Sequence, residues 1–300
     1  MAELPTLVTQ EQAMTHTDLI LAQARAHTNV AGVLPSNPLP TASTGLEHFD
    51  DVFDCSVARG LRQRLACHRV RFQAYCVDNH FEDPTEHADG FETDTYDEHA
   101  VHSVLTHRST GNPIGTVRIV LPQGGGRRRL LPIETLVPSL GRGEAVPFPI
   151  ETTCEVSRFA VVKSIRHHTP TQGPEADLSP EEWRTTLLCL PLALIRASIE
   201  MPAQEGMTHV VAVMEPALLR HLSRFGVHFN RLGGLVEHHG LRQPCWADIT
   251  TLLSGVQAQR PDVWEFLTDH GRIWPNPLVP GESTGGALRS PSSVAASAGA

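Results

Sequence analysis

Two strand-like segments of this chain carry charge where a sheet interior should be apolar. Gly115-Thr-Val-Arg-Ile-Val-Leu places Arg118 inside an apolar run, and Cys154–Val162 places Glu155 and Arg158 inside another. Ionised side chains in strand interiors are seldom buried unless they are paired. The fold must therefore bring partners to these residues, and a dense acidic patch stands ahead of the first strand. It holds Asp94 and Asp97, flanked by Glu92 and Glu98. Glu155 and Arg158 are an odd number of positions apart, so a regular strand puts them on opposite faces. A bulge between them would reverse that. From the residues alone, the set is either a group of salt bridges on a partly wet sheet face or the centre of a site.

The surrounding pattern is mixed. Phe53–Val77 has apolar or small residues at Val57, Leu61, Leu65, Val70 and Ala74 and reads as helical. His99–His107 and Ile114–Leu121 read as strands, joined by the hairpin signal Ser109-Thr-Gly-Asn-Pro113. Glu181–Met201 reads as a helix opened by Pro180 and kinked at Pro191. His209–Met214 is a short apolar strand, and Pro216 opens a helix over Ala217–Phe225 that Gly226 ends. Phe229–His238 and Ala247–Leu252 supply further strand or helix, and Asp262–His270 a last short helix. Hairpins mixed with crossover helices predict an α+β, or mixed α/β, sheet covered by helices on both faces. We expect three parts: an N-terminal extension and linker over 1–45, a folded domain over 46–274, and a disordered Pro/Gly/Ser/Ala tail over 275–300. Within the extension, Met14–Ala26 has helical character and Leu34-Pro-Ser-Asn-Pro-Leu-Pro-Thr reads as the linker.

Composition removes several classes of function. A net charge of −9 argues against a general binder of nucleic acid or of anionic membrane surfaces. No run of 18 apolar residues occurs, so no membrane span is expected. The first residues lack a basic start followed by an apolar core, so no secretory signal is expected either. Six scattered cysteines without a C-x-x-C pair fit reduced thiols in a cytoplasmic protein. The tight histidine pairs, His167-His168, His238-His239 and His99-x-x-His102, match no H-E-x-x-H or finger spacing, and no metal is expected. Glu-Val-Ser-Arg-Phe is not a nucleophile elbow, which argues against a serine hydrolase.

The charged residues also have an order. Arg69-Val-Arg-Phe-Gln-Ala-Tyr-Cys, then Glu92-Thr-Asp-Thr-Tyr-Asp, then Arg118, then Glu155 with Arg158-Phe159, resembles the acyl-homoserine-lactone autoinducer synthases and the related N-acyl amino acid synthases. Both belong to the GNAT acyltransferase superfamily, and the subgroup associated with the exosortase (PEP-CTERM) system is the most similar. The likeness spans Arg71 to Phe159 and continues more weakly through Met214-Glu-Pro216 to Pro244. It implies a bacterial enzyme with a twisted, largely antiparallel GNAT-like sheet and a central splayed strand pair. It also implies that Arg71, Tyr75, Phe81, Asp94, Asp97, Arg118, Arg158 and Phe159 belong to the substrate site.

Two departures refine this expectation. Tyr75 and Phe81 stand where the lactone synthases carry phenylalanine and tryptophan, which favours the amino acid branch. No [QR]-x-x-G-x-[GA] loop follows Cys154–Val162; Ser164-Ile-Arg-His-His-Thr leads into a long loop instead. Such a loop cradles the pyrophosphate of coenzyme A with backbone N–H groups. We therefore expect no bound cofactor and an acyl-phosphopantetheine donor carried by an acyl carrier protein. The resemblance then implies transfer of a fatty acyl group to the amino group of an amino acid. The alternatives are a lactone synthase using S-adenosylmethionine and a non-catalytic module that holds an acyl chain or its carrier.

The chemistry assigns roles. The attacking amine must be neutral, so a carboxylate should take its proton, and Glu155 is the residue for it. The same glutamate is otherwise a partner for Arg118 or Arg158. Asp94 and Asp97 either hold the acceptor's amino group or pair with Arg71 and Arg118; the resemblance favours pairing. An acceptor carboxylate needs a guanidinium fork from Arg71, Arg118 or Arg158. The helical faces Leu187–Ile199 and Leu218–Phe225 are either walls of an acyl tunnel or plain core. Docking of an acidic carrier needs basic residues, for which Arg127, Arg128, Arg129, Lys163, Arg166 and Arg220 are available.

Overall fold

The hairpin signalled by Ser109–Pro113 forms the second and third strands of one sheet. In a computed structural model, which describes residues 43–124, 127–128, 130–141 and 146–274, six main strands follow one another across it. They are β1 (Phe53–Val57), β2 (Ala100–His107), β3 (Asn112–Val120), β4 (Thr153–Val161), β5 (His209–Met214) and β6 (Leu241–Asp248). Two-residue strands, Asn230–Arg231 and Val236–Glu237, pair with β6 and complete the eight. Every pairing is antiparallel except β4 with β5. A parallel pair needs a long crossover, and α2 (Pro180–Leu188) with α3 (Leu190–Gln204) supplies it.

The parallel pairing is short. It runs from Thr153 opposite His209 to Val156 opposite Ala212 and stops, although β4 continues to Val161 and β5 to Met214. Beyond Val156 the two strands part, giving the splayed pair at the centre of a mixed, mostly antiparallel sheet.

Helices cover both faces. Cys55 and Leu105 are register partners, and the Cys55 thiol donates to the Ala193 carbonyl of α3 across 3.4 Å. His102 and Arg118 are register partners of opposite parity, so they look to the other face. There lies α1 (Leu61–Arg71), whose Cys67 thiol reaches the Ser103 carbonyl. The main core gathers Phe49, Phe53, Leu105, Val117, Ile119 and the buried residues of α3, α5 (Ile249–Gln259) and α6 (Pro261–Thr268). A second, smaller core of Val120, Leu131, Ile133, Leu140, Phe148 and Val211 lies beneath the segment that leads into β4. All six cysteines are free thiols.

Several expectations need correction. Phe53–Val77 is not one helix. Phe53–Val57 pairs with β2 along its whole length, Gly60 turns the chain at φ +85°, and α1 begins only at Leu61. Alternating Phe53, Cys55 and Val57 serve the sheet, so tertiary pairing overrides the helical spacing. The helix then widens into a π-helical turn over Phe72–Asp78. At Pro191 the helix ladder is interrupted: Cys189, still at right-handed helical dihedrals, separates α2 from α3, and Pro191 sits in the first turn of α3. Phe229–His238 contributes only the two short strands, and Ala247–Leu252 divides between the end of β6 and α5, capped by Asp248. Pro180–Gln204 is long and apolar enough to cross a membrane, but 67% of its apolar window is buried in the fold. It is the spine of the core. Met14–Ala26, the linker and the C-terminal tail lie outside the described residues.

Candidate active site

Arg71 ends α1 fully buried against the sheet, and the acidic segment folds over it. Asp94 caps a 3-10 turn over Thr95–His99. Its Oδ1 accepts from the Tyr96 amide at 2.9 Å, and Asp97 Oδ2 accepts from the Asp94 amide at 2.9 Å. This reciprocal cap fixes both carboxylates before any arginine is considered. Arg71 Nη1 then donates to Asp97 Oδ1 at 2.7 Å, and Arg71 Nε donates to Glu92. Arg118 Nη1 reaches Asp94 at 2.6 Å and Asp97 at 2.7 Å. Arg158 Nη2 reaches Glu92 at 2.9 Å and Asp94 at 3.0 Å. Three arginines and three carboxylates thus close a network without net charge.

Glu92 is the member that the sequence left as a flank. It is 1% exposed and bridges Arg71 to Arg158. Burial pushes its carboxyl up, but the hydrogen bond and charge of Arg71, with the charge of Arg158, bring it down to about 2. Asp97 is likewise held far below the usual carboxylate range, since Arg71 and Arg118 outweigh its burial. His102 faces the same group and is kept neutral, its pKa lowered to about 3 by burial.

Arg158 joins the network because β4 bulges. Thr116 lies opposite Ala160 and Arg118 opposite Ser157, so two steps along β3 face three along β4. Arg158 takes up the extra residue at φ +51°. It therefore points to the same face as Ser157, whose hydroxyl accepts from Arg118 Nε at 3.1 Å. Of the two arrangements open to the sequence, the structure has the bulged one.

Glu155 lies two residues before Ser157 on this face and pairs with neither arginine among the described residues. Its Oε2 accepts from the Ile133 amide at 2.6 Å, and it is 3% exposed. Burial pushes its carboxyl up to about 8, against the Ile133 hydrogen bond and the more distant Arg118; the nearby Glu134 adds to the rise. The second core thus isolates one carboxyl from the neutralised network beside it.

The other predicted residues divide. Tyr75, in the π-helical turn, lies under Arg158, with the guanidinium carbon 5.3 Å from its ring centre. Phe81 stands 6.1 Å from Tyr75 and 5.4 Å from His239, ring centre to ring centre, and Arg242 covers it. Arg242 also pairs with Glu215 at 3.1 Å, just ahead of α4 (Pro216–Ser223). These residues form a rim around the exposed edge of Arg158, and His239 and Arg242 were missed because the ring they share, Phe81, lies more than 150 positions away. Phe159 packs against the main core. Lys163 donates its amide to Asp78 Oδ2 at 2.8 Å and its ammonium to the Asp78 carbonyl, locking the end of the π-helical turn. Arg166 is exposed on a 3-10 turn over Lys163–His167. Arg127 and Arg128 pair with Gln123–Gly124 in a two-residue hairpin, and Arg129 lies outside the described residues.

The two helical faces also part. Leu190, Leu192, Leu194 and Ile195 of α3 are core. The face of α4 lines a cavity of about 410 Å³ with Leu219, Val227, Phe229 and Leu235, and Arg220 and Arg231 stand in its lining. Beyond β4 the chain makes the 3-10 turn and a loop before α2. At the start of α2 the Glu182 amide and the N-cap amide of Ser179 are already used. Ser179 Oγ accepts from the Glu182 amide at 3.3 Å, and Glu182 accepts from the Ser179 amide at 2.7 Å.

Residues 70–172 match the family model described as an acetyltransferase (GNAT) domain. No curated protein matches. Among solved structures, the chain is similar to TofI in complex with an inhibitor and MTA, at 21% identity over 69% of this chain and 96% of that one, with a TM-score of 0.49. It is similar to the CoA-dependent acyl-homoserine lactone synthase BjaI at 19% identity, over 75% of this chain and 90% of that one, with a TM-score of 0.47. It is also similar to FeeM, an N-acyl amino acid synthase from uncultured soil microbes, at 17% identity over 69% of this chain and 96% of that one, with a TM-score of 0.41. The stretch matched by the family model runs from the last residues of α1 to the loop beyond β4, and this part of the chain carries the GNAT acetyltransferase domain that the model describes.

Proposed function

We propose that this chain, through a domain spanning 46–274, transfers a fatty acyl group from the phosphopantetheine thioester of an acyl carrier protein to the amino group of an amino acid. The observation that carries this reading is Glu155, a buried carboxyl raised to about 8 beside the point where β4 and β5 part. The amine nitrogen attacks the thioester carbon, the N–C bond forms and the C–S bond breaks. Glu155 takes the proton that the amine loses and returns it to the departing sulfur, so the carrier leaves as the thiol. An amino group titrates near 8, whereas an ordinary glutamate titrates near 4.3. A mismatch of about 4 units would cost the transfer about 5 kcal/mol. Raising Glu155 to about 8 removes that cost. The backbone of β4 beyond Val156, released from β5, supplies N–H groups for the developing oxyanion.

Arg71 and Arg118 are buried and committed to carboxylates, so neither is the acceptor's fork. Arg158 keeps 17% of its side chain exposed at the rim and takes the acceptor carboxylate there. Asp94 and Asp97 act as pairing residues that fix Arg71, Arg118 and Arg158. The acyl chain enters the cavity beneath α4. The choice of carrier protein over coenzyme A is supported by α2, which opens on Pro180 and whose capping box already uses the Glu182 amide, leaving fewer N–H donors for a pyrophosphate. Lys163, Arg166 and Arg220 offer basic contacts for an acidic carrier on that side. Six free thiols, five of them buried, fit a reducing bacterial cytoplasm.

The test is a product screen by mass spectrometry. The protein is incubated with acyl carrier protein or coenzyme A thioesters, a panel of amino acids and S-adenosylmethionine. N-acyl amino acids from the carrier-bound donor are expected. Lactones without N-acyl amino acids would overturn the reading, and no turnover with any donor would favour a binding module.

A further inference from the structure

Behind the sheet edge, away from Glu155, lies a second buried carboxylate with a different environment. Glu175 is fully buried on a 3-10 turn over Pro174–Asp177. Its Oε1 accepts from Ser109 and lies 2.9 Å from His107 Nε2. Its Oε2 is buried with no hydrogen-bond partner. Among the described residues no lysine or arginine pairs with it, in contrast to Glu92, Asp94 and Asp97. A buried carboxylate without a cation is costly, and an unsatisfied oxygen adds to that cost.

His168 completes the surroundings. Its ring stands 4.8 Å from that of His107, edge to face, and both rings lie against Trp183. One ligand atom each from His107, His168 and Glu175 falls within 4.8 Å of the others. Tetrahedral zinc takes histidine nitrogens and carboxylate oxygens at about 2.0–2.2 Å, so its ligand atoms lie about 3.4 Å apart. His168 is only half buried, so its ring is free to turn towards the other two ligands. The other ring nitrogen of His107 is 3.0 Å from the Thr110 hydroxyl, the kind of outer contact that fixes the tautomer of a metal-binding histidine.

We propose that His107, His168 and Glu175 bind one divalent transition-metal ion, zinc fitting the donor set best. The ion supplies the positive charge that Glu175 lacks. It also ties the loop leaving β4 to the β2–β3 turn, since His168 and Glu175 lie on the first and His107 next to the second. The sequence hid the set because its spacings, 61 and 7 positions, belong to no short motif. The site lies at the opposite end of β2 from the strand pairing that carries Glu155.

The experiment strips the full-length protein with a chelator and titrates it with Zn²⁺, and with Co²⁺ as a spectroscopic probe. One equivalent is expected to bind, with cobalt absorption bands of a low-coordinate N/O site and a rise in Tm. His168→Ala, at a half-buried position, and the near-isosteric Glu175→Gln should each weaken binding at least tenfold. Both variants should keep the far-ultraviolet circular dichroism of the parent. Absence of saturable binding, or binding of equal strength in both variants, would overturn the proposal. Transfer activity plays no part in this readout, so the site and the acyltransferase reading fail separately.

Discussion

The amide of Ile133 donates to Oε2 of Glu155 across 2.6 Å, so the buried carboxyl is held by backbone and not by an arginine. A glutamine keeps this contact through its carbonyl oxygen but takes no proton. Glu155→Gln should therefore fold and lose about 10²–10⁴-fold in transfer rate, the usual contribution of a general base. Single-turnover mass spectrometry checks it. Wild-type activity in this variant would leave Glu155 without a catalytic role.

Glu155 accepts a proton only when ionised. The rate at limiting acceptor should rise with pH and level off above about 8. The same shift acts on stability. The folded pKa lies above the ordinary value of 4.5, so this group's contribution is fully present below pH 4.5 and is lost as pH rises through about 8. Glu155→Gln should consequently raise the unfolding free energy at pH 9, by a few kcal/mol at most (~1.4 kcal/mol per pKa unit), and with it Tm, but not at pH 4.5. Thermal melts at the two pH values decide it.

Arg158 holds a left-handed backbone at φ +51°. Arg158→Ala and Arg158→Gly both remove the bonds to Glu92 and Asp94, but only glycine relieves the backbone. Glycine should be the more stable of the two by about 1 kcal/mol. Equal urea midpoints would remove the bulge from the account.

Arg71 faces Glu92 and Asp97 inside the fold. Arg71→Met leaves both carboxylates without their main cation and should cost about 3–5 kcal/mol. In the parent the depressed carboxyls contribute stability above pH 4.5, and this is lost as pH falls towards about 2, the value of Glu92. Acid unfolding followed by circular dichroism should begin at higher pH in Arg71→Met.

Leu219 lines the cavity beneath α4. If acyl chains lie there, Leu219→Trp shortens the room for them and should shift products towards shorter chains. An unchanged chain-length distribution, with transfer intact, would place the acyl chain elsewhere.

The hairpin of β2 and β3 was legible because it depends on local turn residues; the charges in apolar runs said only that partners were needed, and the order from Arg71 to Phe159 was read from the resemblance to a family. Glu92 was not legible, since nothing in Glu92-Thr-Asp94 says which acid points inward; its place follows from Arg158, 66 positions on. The fate of Phe53–Val57 was hidden for a similar reason, because five residues fit a helix end and an edge strand equally well until β2 is beside them. His107, His168 and Glu175 meet only through the sheet and the loop beyond β4.

The bulge in β4 gives that strand something like a reading frame. Ordinary strands alternate faces, and a residue added or lost only changes which face comes next. Here Glu155 and Ser157 obey the alternation and Arg158 breaks it, with Ala160 back in step opposite Thr116. Deleting one residue between Ser157 and Ala160 would restore the plain pattern and turn the arginine out of the network. The local composition would hardly change, yet Glu92 would lose its second cation. Insertions and deletions there should be far less tolerable than substitutions, and chains that differ by one residue at this point should differ in how they hold their substrates.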